Sequence, residues 1–416
     1  MNAAGCLKAL GLAGQIILEN GGETYRAEDT VERMARTLGL KDADVFAVPS
    51  GLFISFTDED GERRTSVTRI HLRGTHLARV DRVNHLSRRL AMGTLTPDEL
   101  LIKLQEAEKI GDHLPMWYNP LYAFLCAVSF AAMFGGGLVE MLLAGVCAAV
   151  TQLVPLVLRG HDAGGMGTTL IGGIICVVIP LFFQAATGLG VTDIIVAGAI
   201  MPLVPGLSMT NAVRDILRGD MVSGVAHCAR ALMVAVMVAG GAVVGTRAFD
   251  MLGLFSNSAA AAVQHPFWIG LIISFVSSAA AGLFFGVLLH APLHSLPVSG
   301  LIAGLGYVSY WVAMQYGLAE TSAMFIGALI ASVGAQIAAR HLKMIATIFI
   351  TIAILPLVPG LGLYRAMRAL AQSQLELGGS IASHTMALIV MIALGVGLGS
   401  AVRWLGGAER KGGGKE

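Results

Sequence analysis

The hexapeptide PLVPGL occurs twice in this chain, at residues 202–207 and 356–361, and each copy follows an apolar run. Each copy contains two prolines three positions apart, which remove two backbone hydrogen-bond donors and disturb the preceding helical turn. In lipid, an unpaired backbone group is costly unless protein or a water-filled cavity satisfies it. The same interruption at matching places in two halves of a chain therefore indicates a duplicated, transporter-like architecture that exposes backbone at each break.

The composition is that of a membrane protein. Mean hydropathy is +0.72, and 13% of the residues are charged, compared with about 25% in soluble domains. More than half of the 55 charged side chains (28 basic, 27 acidic) lie in residues 1–118. Trp117 and Tyr118 follow, as aromatic anchors at the start of a first span would. We therefore predict a cytoplasmic domain over residues 1–118, a first five-helix membrane repeat over 119–250 and a second over 251–416.

The overall charge and the cysteines argue against several other classes of protein. The net charge of +1 gives no reason to expect a nucleic-acid partner. The five cysteines are far apart and have no metal-binding or disulfide spacing. We expect no metal and no cofactor.

The N-terminal region is predicted to be a small α+β domain. Helical patterns over 3–19 and 23–39 precede strand-like runs around a turn at Asp60-Gly61, and helices near 76–92 and 97–110 follow. A membrane-anchored hydrolase is the alternative that this region leaves open. Its candidate acid and base residues are Glu23, Glu28, Asp29, His71, His76 and His85. No nucleophile elbow, phosphate loop or HExxH motif accompanies them, and a solvated helix face explains the acids of the second helix.

The membrane part divides into two sets of five apolar segments. The first set lies at 120–135, 138–158, 166–187, 190–206 and 224–246, and the second at 267–289, 295–315, 321–339, 344–359 and 383–403. PLVPGL ends the fourth segment of each set. The separation of 154 positions between Pro202 and Pro356 also relates Arg214 to Arg368. This order predicts an internal duplication.

An odd number of crossings per repeat would insert the second repeat in the opposite orientation. The fourth segments are short, about 24 Å against a hydrocarbon thickness of about 30 Å, so re-entrant segments are the alternative. With ten crossings, the basic residues on the side of the N-terminal domain are Arg159, Arg214, Arg218, Arg230, Arg340 and Lys343. Re-entrant fourth segments would leave only Arg159 and Arg247 there. Because cytoplasmic loops carry excess Lys and Arg, we predict about ten transmembrane helices in a 5+5 inverted repeat, with both termini in the cytoplasm.

Broken helices in matching positions indicate a substrate site near the middle of the membrane. Carbonyls are freed before each break, and amides at the start of the next helix favour a carboxylate. The candidate pathway residues are Pro202, Pro205, Gly206, Ser208, Thr210, Asn211, Arg214, Pro356, Pro359, Gly360, Tyr364, Arg365 and Arg368. The alternative is that the prolines only end helices and the arginines only obey loop-charge rules.

Ionisable residues at membrane depth are candidates for proton coupling. Asp193 is the strongest, because it lies in the apolar run that leads to the first PLVPGL. Glu140 and Glu320 are weaker candidates, since they stand near glycines at predicted loop edges.

Three long stretches resemble the ThrE-type threonine/serine exporter family: GGETYRAEDTVERMARTLG, VFAVPSGLFISF and MPLVPGLSMTNAVRDILRGDMVSG. The second half, with ILPLVPGLGLYRAM, is similar to the family's smaller companion domain. Some bacteria carry the halves as separate YjjP-like and YjjB-like proteins, which are implicated in dicarboxylate (succinate) export.

The resemblance implies an inner-membrane secondary exporter driven by the electrochemical gradient. We therefore expect export of threonine and serine coupled to the proton-motive force, with a dicarboxylate as the alternative substrate. The expected partners are the small-molecule substrate and the lipid bilayer. A homo-oligomer is left open.

Overall fold

The structure is a computed structural model that describes residues 2–58, 60–71, 74–111, 115–158, 165–204, 206–217, 219–251 and 266–408. Over these residues the chain is mainly helical. The strands are β1 (Lys41–Val48), β2 (Gly51–Thr57) and β3 (Arg63–Arg69). The helices are α1 (Ala3–Glu19), α2 (Thr24–Thr37), α3 (Leu77–Ala91), α4 (Pro97–Glu108), α5 (Asn119–Met133), α6 (Leu138–Thr151), α7 (Val154–Val157), α8 (Met166–Thr187), α9 (Thr192–Ile200), α10 (Gly206–Leu217), α11 (Met221–Met251), α12 (Phe267–Leu288), α13 (Leu296–Gln315), α14 (Glu320–His341), α15 (Ala346–Ile354), α16 (Gly360–Ala371) and α17 (Leu375–Ala408).

The N-terminal elements are four helices around a three-stranded antiparallel sheet of order β1-β2-β3. In β2, the buried side chains of Leu52, Ile54 and Phe56 alternate with the exposed Phe53, as a half-buried strand requires. Helix α1 packs on β2 and β3, and α2 packs on β1. The observed helices and strands lie within a few residues of those predicted from the sequence.

Within the described residues, the membrane part contains seven helices that are long and apolar enough to cross a bilayer. They cover Leu138–Val157, Met166–Thr187, Met221–Phe249, Phe267–Leu288, Leu293–Gln315, Glu320–His341 and Leu375–Ala401. The pair Ala346–Leu357 and Gly360–Leu370, bent by 53°, gives an eighth if it is one span. Two shorter apolar helices, Asn119–Met133 and Thr192–Leu203, accompany them. The chain is therefore a multi-pass membrane protein.

Equivalent helices recur at a constant offset along the chain. The 154 positions that separate the two PLVPGL copies also separate the bounds of α8 from α14, of α9 from α15 and of α10 from α16, and the first residue of α11 from that of α17. Sequence identity between the two halves is weak outside PLVPGL. The positions of the helix boundaries are therefore far more similar between the two halves than their amino-acid sequences are.

Both breaks are built in the same way. A short 3-10 turn, Met201–Leu203 in the first copy and Leu355–Leu357 in the second, ends at a valine whose ψ angle is extended, 133° in Val204 and 123° in Val358. Each valine precedes a proline, and a proline disfavours the helical conformation of the residue before it. The Val-Pro step therefore interrupts the helix in both copies.

The sequence predicts that the fourth apolar segments end at residues 206 and 359 and that a further helix begins after each break. The chain continues directly into α10 and α16, each of 12 residues. The first amides of any helix lack intrahelical partners, so a new helix starts at a proline without losing a bond. Each break is therefore a joint between two helices and not the edge of a loop.

Each of two hydrophobic cores contains a residue from a break region in the other half of the chain. The larger joins the N-terminal elements to the second half and contains Met201 from the first break. The smaller lies within the first half and contains Tyr364 from beyond the second break. Consistent with this exchange, α16 packs on α11, and α10 packs on α17.

The N-terminal elements hydrogen-bond to three separate turns of the membrane part, which therefore lie on one side of the molecule. These turns follow α10, α12 and α14. The bonds are Thr24 Oγ1 to Asp220 Oδ2 (3.0 Å), Leu77 N to Leu289 O (3.1 Å) and Arg88 Nη1 to Lys343 O (3.0 Å).

Candidate substrate pathway at the paired helix breaks

The two breaks, far apart in sequence, touch each other. A Cβ atom added to Gly360 would lie 2.8 Å from Cγ2 of Val204 and 3.0 Å from Sδ of Met201. Only a glycine fits so close an approach without a shift of its neighbours. Tyr364, one turn further along α16, is buried in the same cluster as Val204. The structure thus brings both copies of PLVPGL to one place.

The remaining predicted residues of the two hexapeptides lie around this contact. Pro202 is half-buried in the first 3-10 turn, Pro356 is buried in the second, and Pro359 caps α16. Gly206 begins α10. Pro205 and the side chains of Thr210 and Arg214 lie outside the described residues.

Ser208 and Asn211 line a polar cavity between the first break and the N-terminal elements. It is partly open to solvent, and the space in it that water-sized molecules can occupy is about 80 Å³. The other polar side chains around it are Thr24, Thr75, His227 and Arg230. Asn211 is only 3% exposed, and its Oδ1 has no hydrogen-bond partner among the described residues. The cavity therefore has a cationic side chain, Arg230, in its wall.

Beyond the second break, the predicted arginines face outward. Arg368 Nη1 lies 3.5 Å from Asp193 Oδ1, and the two side chains are 36% and 52% exposed. Arg365 is exposed. The pair joins the start of α9 to α16 and so links the two halves of the chain at an exposed position.

Glu140 and Glu320, the weaker proton-coupling candidates, are both hydrogen-bonded at helix starts. Glu140 accepts from the backbone amides of Gly137 (2.8 Å) and Val191 (3.0 Å), which fixes α6 against α9. Glu320 Oε2 lies 2.8 Å from His384 Nε2, which ties α14 to α17. These contacts explain both glutamates as ties between helices.

One buried ionisable pair in the membrane part was missed by the sequence analysis. Asp215 on α10 has no exposed side-chain surface, and its Oδ2 lies 2.9 Å from Nδ1 of His227 on α11. The proximity of Asp215 to the first break was its only sequence signal. His227 lies in an apolar run, and nothing local connects the two residues.

The acids of the N-terminal region serve as structural contacts. Glu23 is fully buried and accepts hydrogen bonds from Thr347 Oγ1 (2.9 Å) and Arg26 Nε (2.7 Å). Glu28 accepts from the amide of Ala47 (2.8 Å), and burial raises the pKa of its carboxyl. Across the described ranges, no three His, Cys, Asp or Glu side chains are grouped to hold a metal ion.

The long apolar spans and the two meeting breaks define the class: a multi-pass membrane protein with paired discontinuous helices. The chain belongs to the threonine/serine exporter family. Residues 8–249 match the family described as "Putative threonine/serine exporter", and residues 270–402 match the one described as "Threonine/Serine exporter, ThrE".

Individual relatives cover either the whole chain or its first half. The chain is 26% identical to a "Threonine/serine exporter" of Corynebacterium glutamicum, over 95% of this chain and 82% of the relative. It is 22% identical to a "Probable threonine/serine exporter" of Mycobacterium tuberculosis, over 96% and 77%. A "Probable succinate transporter subunit YjjP" of Escherichia coli is 22% identical over 58% of this chain and 93% of its own length. No solved structure matches the chain.

Proposed function

We propose that this protein is a secondary transporter of the bacterial inner membrane that exports threonine and serine, coupled to the proton-motive force. The observation that carries the proposal is the contact between the two helix breaks, at Gly360 and Val204. Transporters bind substrate where discontinuous helices from two repeats meet. The names of the two full-length relatives support the substrate.

The proposed architecture is a cytoplasmic α+β domain over residues 1–118 and two five-helix repeats, 119–250 and 251–416, in opposite orientations. The constant offset of 154 between equivalent helices supports the repeat. Opposite orientation is supported by Asp193 and Thr347, which occupy equivalent positions at the starts of α9 and α15. Thr347 contacts Glu23 of the N-terminal elements, whereas Asp193 pairs with Arg368, beyond the second break.

The half-helices supply the chemistry that a small zwitterion needs. Helices α10 and α16 both begin at the breaks, and the amides of a helix start favour a carboxylate. Carbonyl groups freed at the ends of α9 and α15 accept hydrogen bonds from an ammonium or hydroxyl group. A serine or threonine presents all three groups in one small molecule.

Transport by the purified protein in liposomes tests the function directly. Radiolabelled threonine is expected to move across the membrane at a rate that increases when a pH gradient is imposed. Liposomes without protein are the control. Absence of gradient-dependent flux of any amino acid or dicarboxylate would overturn the proposal.

A dicarboxylate is the second candidate substrate, because the first half of the chain is related to a protein named as a succinate transporter subunit. The exposed Arg365 and the half-exposed Arg368 suit a dianion. Competition separates the two candidates in the same liposomes. Unlabelled serine is expected to inhibit threonine flux while succinate does not, and the reverse result would favour the dicarboxylate.

Single cysteines test the inverted orientation. Met221 and Leu375 are the equivalent first residues of α11 and α17, and both are exposed, by 60% and 71%. Cys228 is the exposed cysteine, and the other four are buried, so Cys228→Ser provides the background. An impermeant maleimide is expected to label Met221→Cys and Leu375→Cys from opposite sides. Labelling of both from the same side would contradict the inverted repeat.

A further inference from the structure

The pair Asp215–His227 has features that a structural contact alone does not require. Asp215 is fully buried beyond the first break, and Oδ2 has the imidazole of His227 as its partner. Its second oxygen, Oδ1, is also buried and has no hydrogen-bond partner among the described residues. A permanently ionised carboxylate in such a site leaves an acceptor unsatisfied at considerable cost. A carboxyl group that is protonated for part of a cycle relieves that cost.

Several titratable groups surround Asp215. A protonated His227 stabilises its negative charge, whereas the carboxylates of Glu23 on α2, of Asp220 in the following turn and of Glu28 repel it. Arg26 is engaged with Glu23. The described cationic groups on α11 near the pair are His227 itself and Arg230, which lines the cavity. A cluster of like charges with one titratable base is the arrangement in which a proton is shared.

Access to the pair is one-sided. His227 lines the cavity beneath the N-terminal elements, and its side chain is 14% exposed, while that of Asp215 is 0% exposed. Water in the cavity therefore reaches the imidazole and not the carboxyl. The cavity lies on the side of the N-terminal elements, since Gly21, Gly22 and Thr75 form part of its wall.

We infer that Asp215 and His227 form the proton-binding pair of the transporter and that the cavity is the route by which the proton leaves toward the N-terminal side. This inference rests on the proposed function. When protonated Asp215 transfers its proton from Oδ2 to Nδ1 of a neutral His227, the imidazole holds a proton on each nitrogen. Release of the Nε2 proton to cavity water leaves a neutral imidazole and an ionised carboxylate. One proton has moved, and only O–H and N–H bonds have changed.

This assignment differs from the sequence-based candidates in its location. Asp193 and Glu320 are exposed, and Glu140 is satisfied by two backbone amides. Asp215 combines burial, a titratable partner and a position on the helix that begins at the first break. Its ionisation is thus linked to how α10 packs against α11.

Two liposome assays distinguish proton coupling from a structural role. Gradient-driven threonine transport requires net proton movement, whereas threonine–threonine exchange at equal pH does not. Asp215→Asn is expected to lose gradient-driven transport and its pH dependence while exchange continues. His227→Gln is expected to weaken the driven transport and keep exchange. Glu376→Gln is the control, because this exposed acid at the start of α17 takes no part in the pair, and it is expected to retain both activities.

Three outcomes would overturn the inference. Gradient-driven transport that is unchanged in Asp215→Asn would make the pair a structural contact. Equal loss of both activities in folded Asp215→Asn and His227→Gln would do the same, since a group needed only for protons leaves exchange intact. If Asp215→Asn does not fold, Asp215→Glu replaces it, and an unchanged pH profile would count against the inference. Wild-type protein that lacks exchange altogether would instead reject the proposed function.

Discussion

The contact between the two helix breaks leads to a specific prediction for Gly360→Ala. The added Cβ would lie 2.8 Å and 3.0 Å from the two methyl groups of Val204 and 3.0 Å from Sδ of Met201. Rotation of Val204 about χ1 does not relieve this crowding, because a valine carries two methyl groups and its rotamers are restricted. The backbone of one break must therefore move away from the other.

The expected loss of stability follows from the cost of overpacking. Forcing an extra methyl group into a well-packed site costs about 1–3 kcal/mol. At an open helical position, the same glycine-to-alanine change stabilises by about 0.5–1 kcal/mol. Gly379 in α17 is exposed, and a Cβ added there would have no neighbouring atom within 4 Å, which makes Gly379→Ala the matched control. Gly360→Ala is therefore expected to melt at a lower temperature than wild type, and Gly379→Ala at the same or a higher one.

Thermal unfolding in lipid nanodiscs and threonine exchange in liposomes measure the two consequences. Gly360→Ala is expected to lower both the unfolding temperature and the exchange rate. Adding Val204→Ala to the same chain is expected to restore part of each loss. The coupling energy between residues in contact is typically about 0.5–3 kcal/mol. If Gly360→Ala matches the control in stability and exchange, or if the double variant shows no coupling, the reasoning about the break contact is refuted.

Three further predictions concern contacts elsewhere in the chain. Burial raises the pKa of Glu28, so its charged form is disfavoured by folding, and Glu28→Gln is expected to raise the melting temperature at pH 7. The gain should vanish below about pH 4, where the carboxyl is protonated in both states, and a gain that is independent of pH would contradict the electrostatic cause. Thr347→Val removes the hydroxyl that donates to buried Glu23 and is expected to lower the free energy of unfolding by about 1–3 kcal/mol. Faster amide hydrogen exchange in α2 would detect this loss, and unchanged exchange would argue against this docking contact. The ion pair of Asp193 with Arg368 is exposed. Asp193→Asn is therefore expected to change the free energy of unfolding by less than about 1 kcal/mol. A larger loss in chemical unfolding would indicate that the pair is buried in the membrane.

Much of the local structure could be predicted from the sequence. The alternation of Leu52, Ile54 and Phe56 identifies a half-buried strand. The apolar segments coincide with the long helices, and the Val-Pro step interrupts both fourth segments in the same way. These features depend on side-chain periodicity and on the backbone restrictions of proline, which act over a few residues.

The extent of α10 and α16 was not predicted. After PLVPGL, each 12-residue helix carries arginines that also fit a loop. Hydropathy alone does not separate these two cases, since an amphipathic helix that packs on one side is polar on the other.

The sequence by itself determined the class of this protein: a charged N-terminal region followed by a series of apolar helices, with the same break at two places. Only the tertiary structure decided that the breaks touch at Gly360, that Asp215 faces His227 and that Glu23 reaches Thr347 in the other half of the chain. The physical reason is the distance along the chain over which the interactions act. Helices and breaks follow from interactions within a turn or two, whereas the contacts between distant parts of the chain depend on how whole helices pack, which no local pattern specifies.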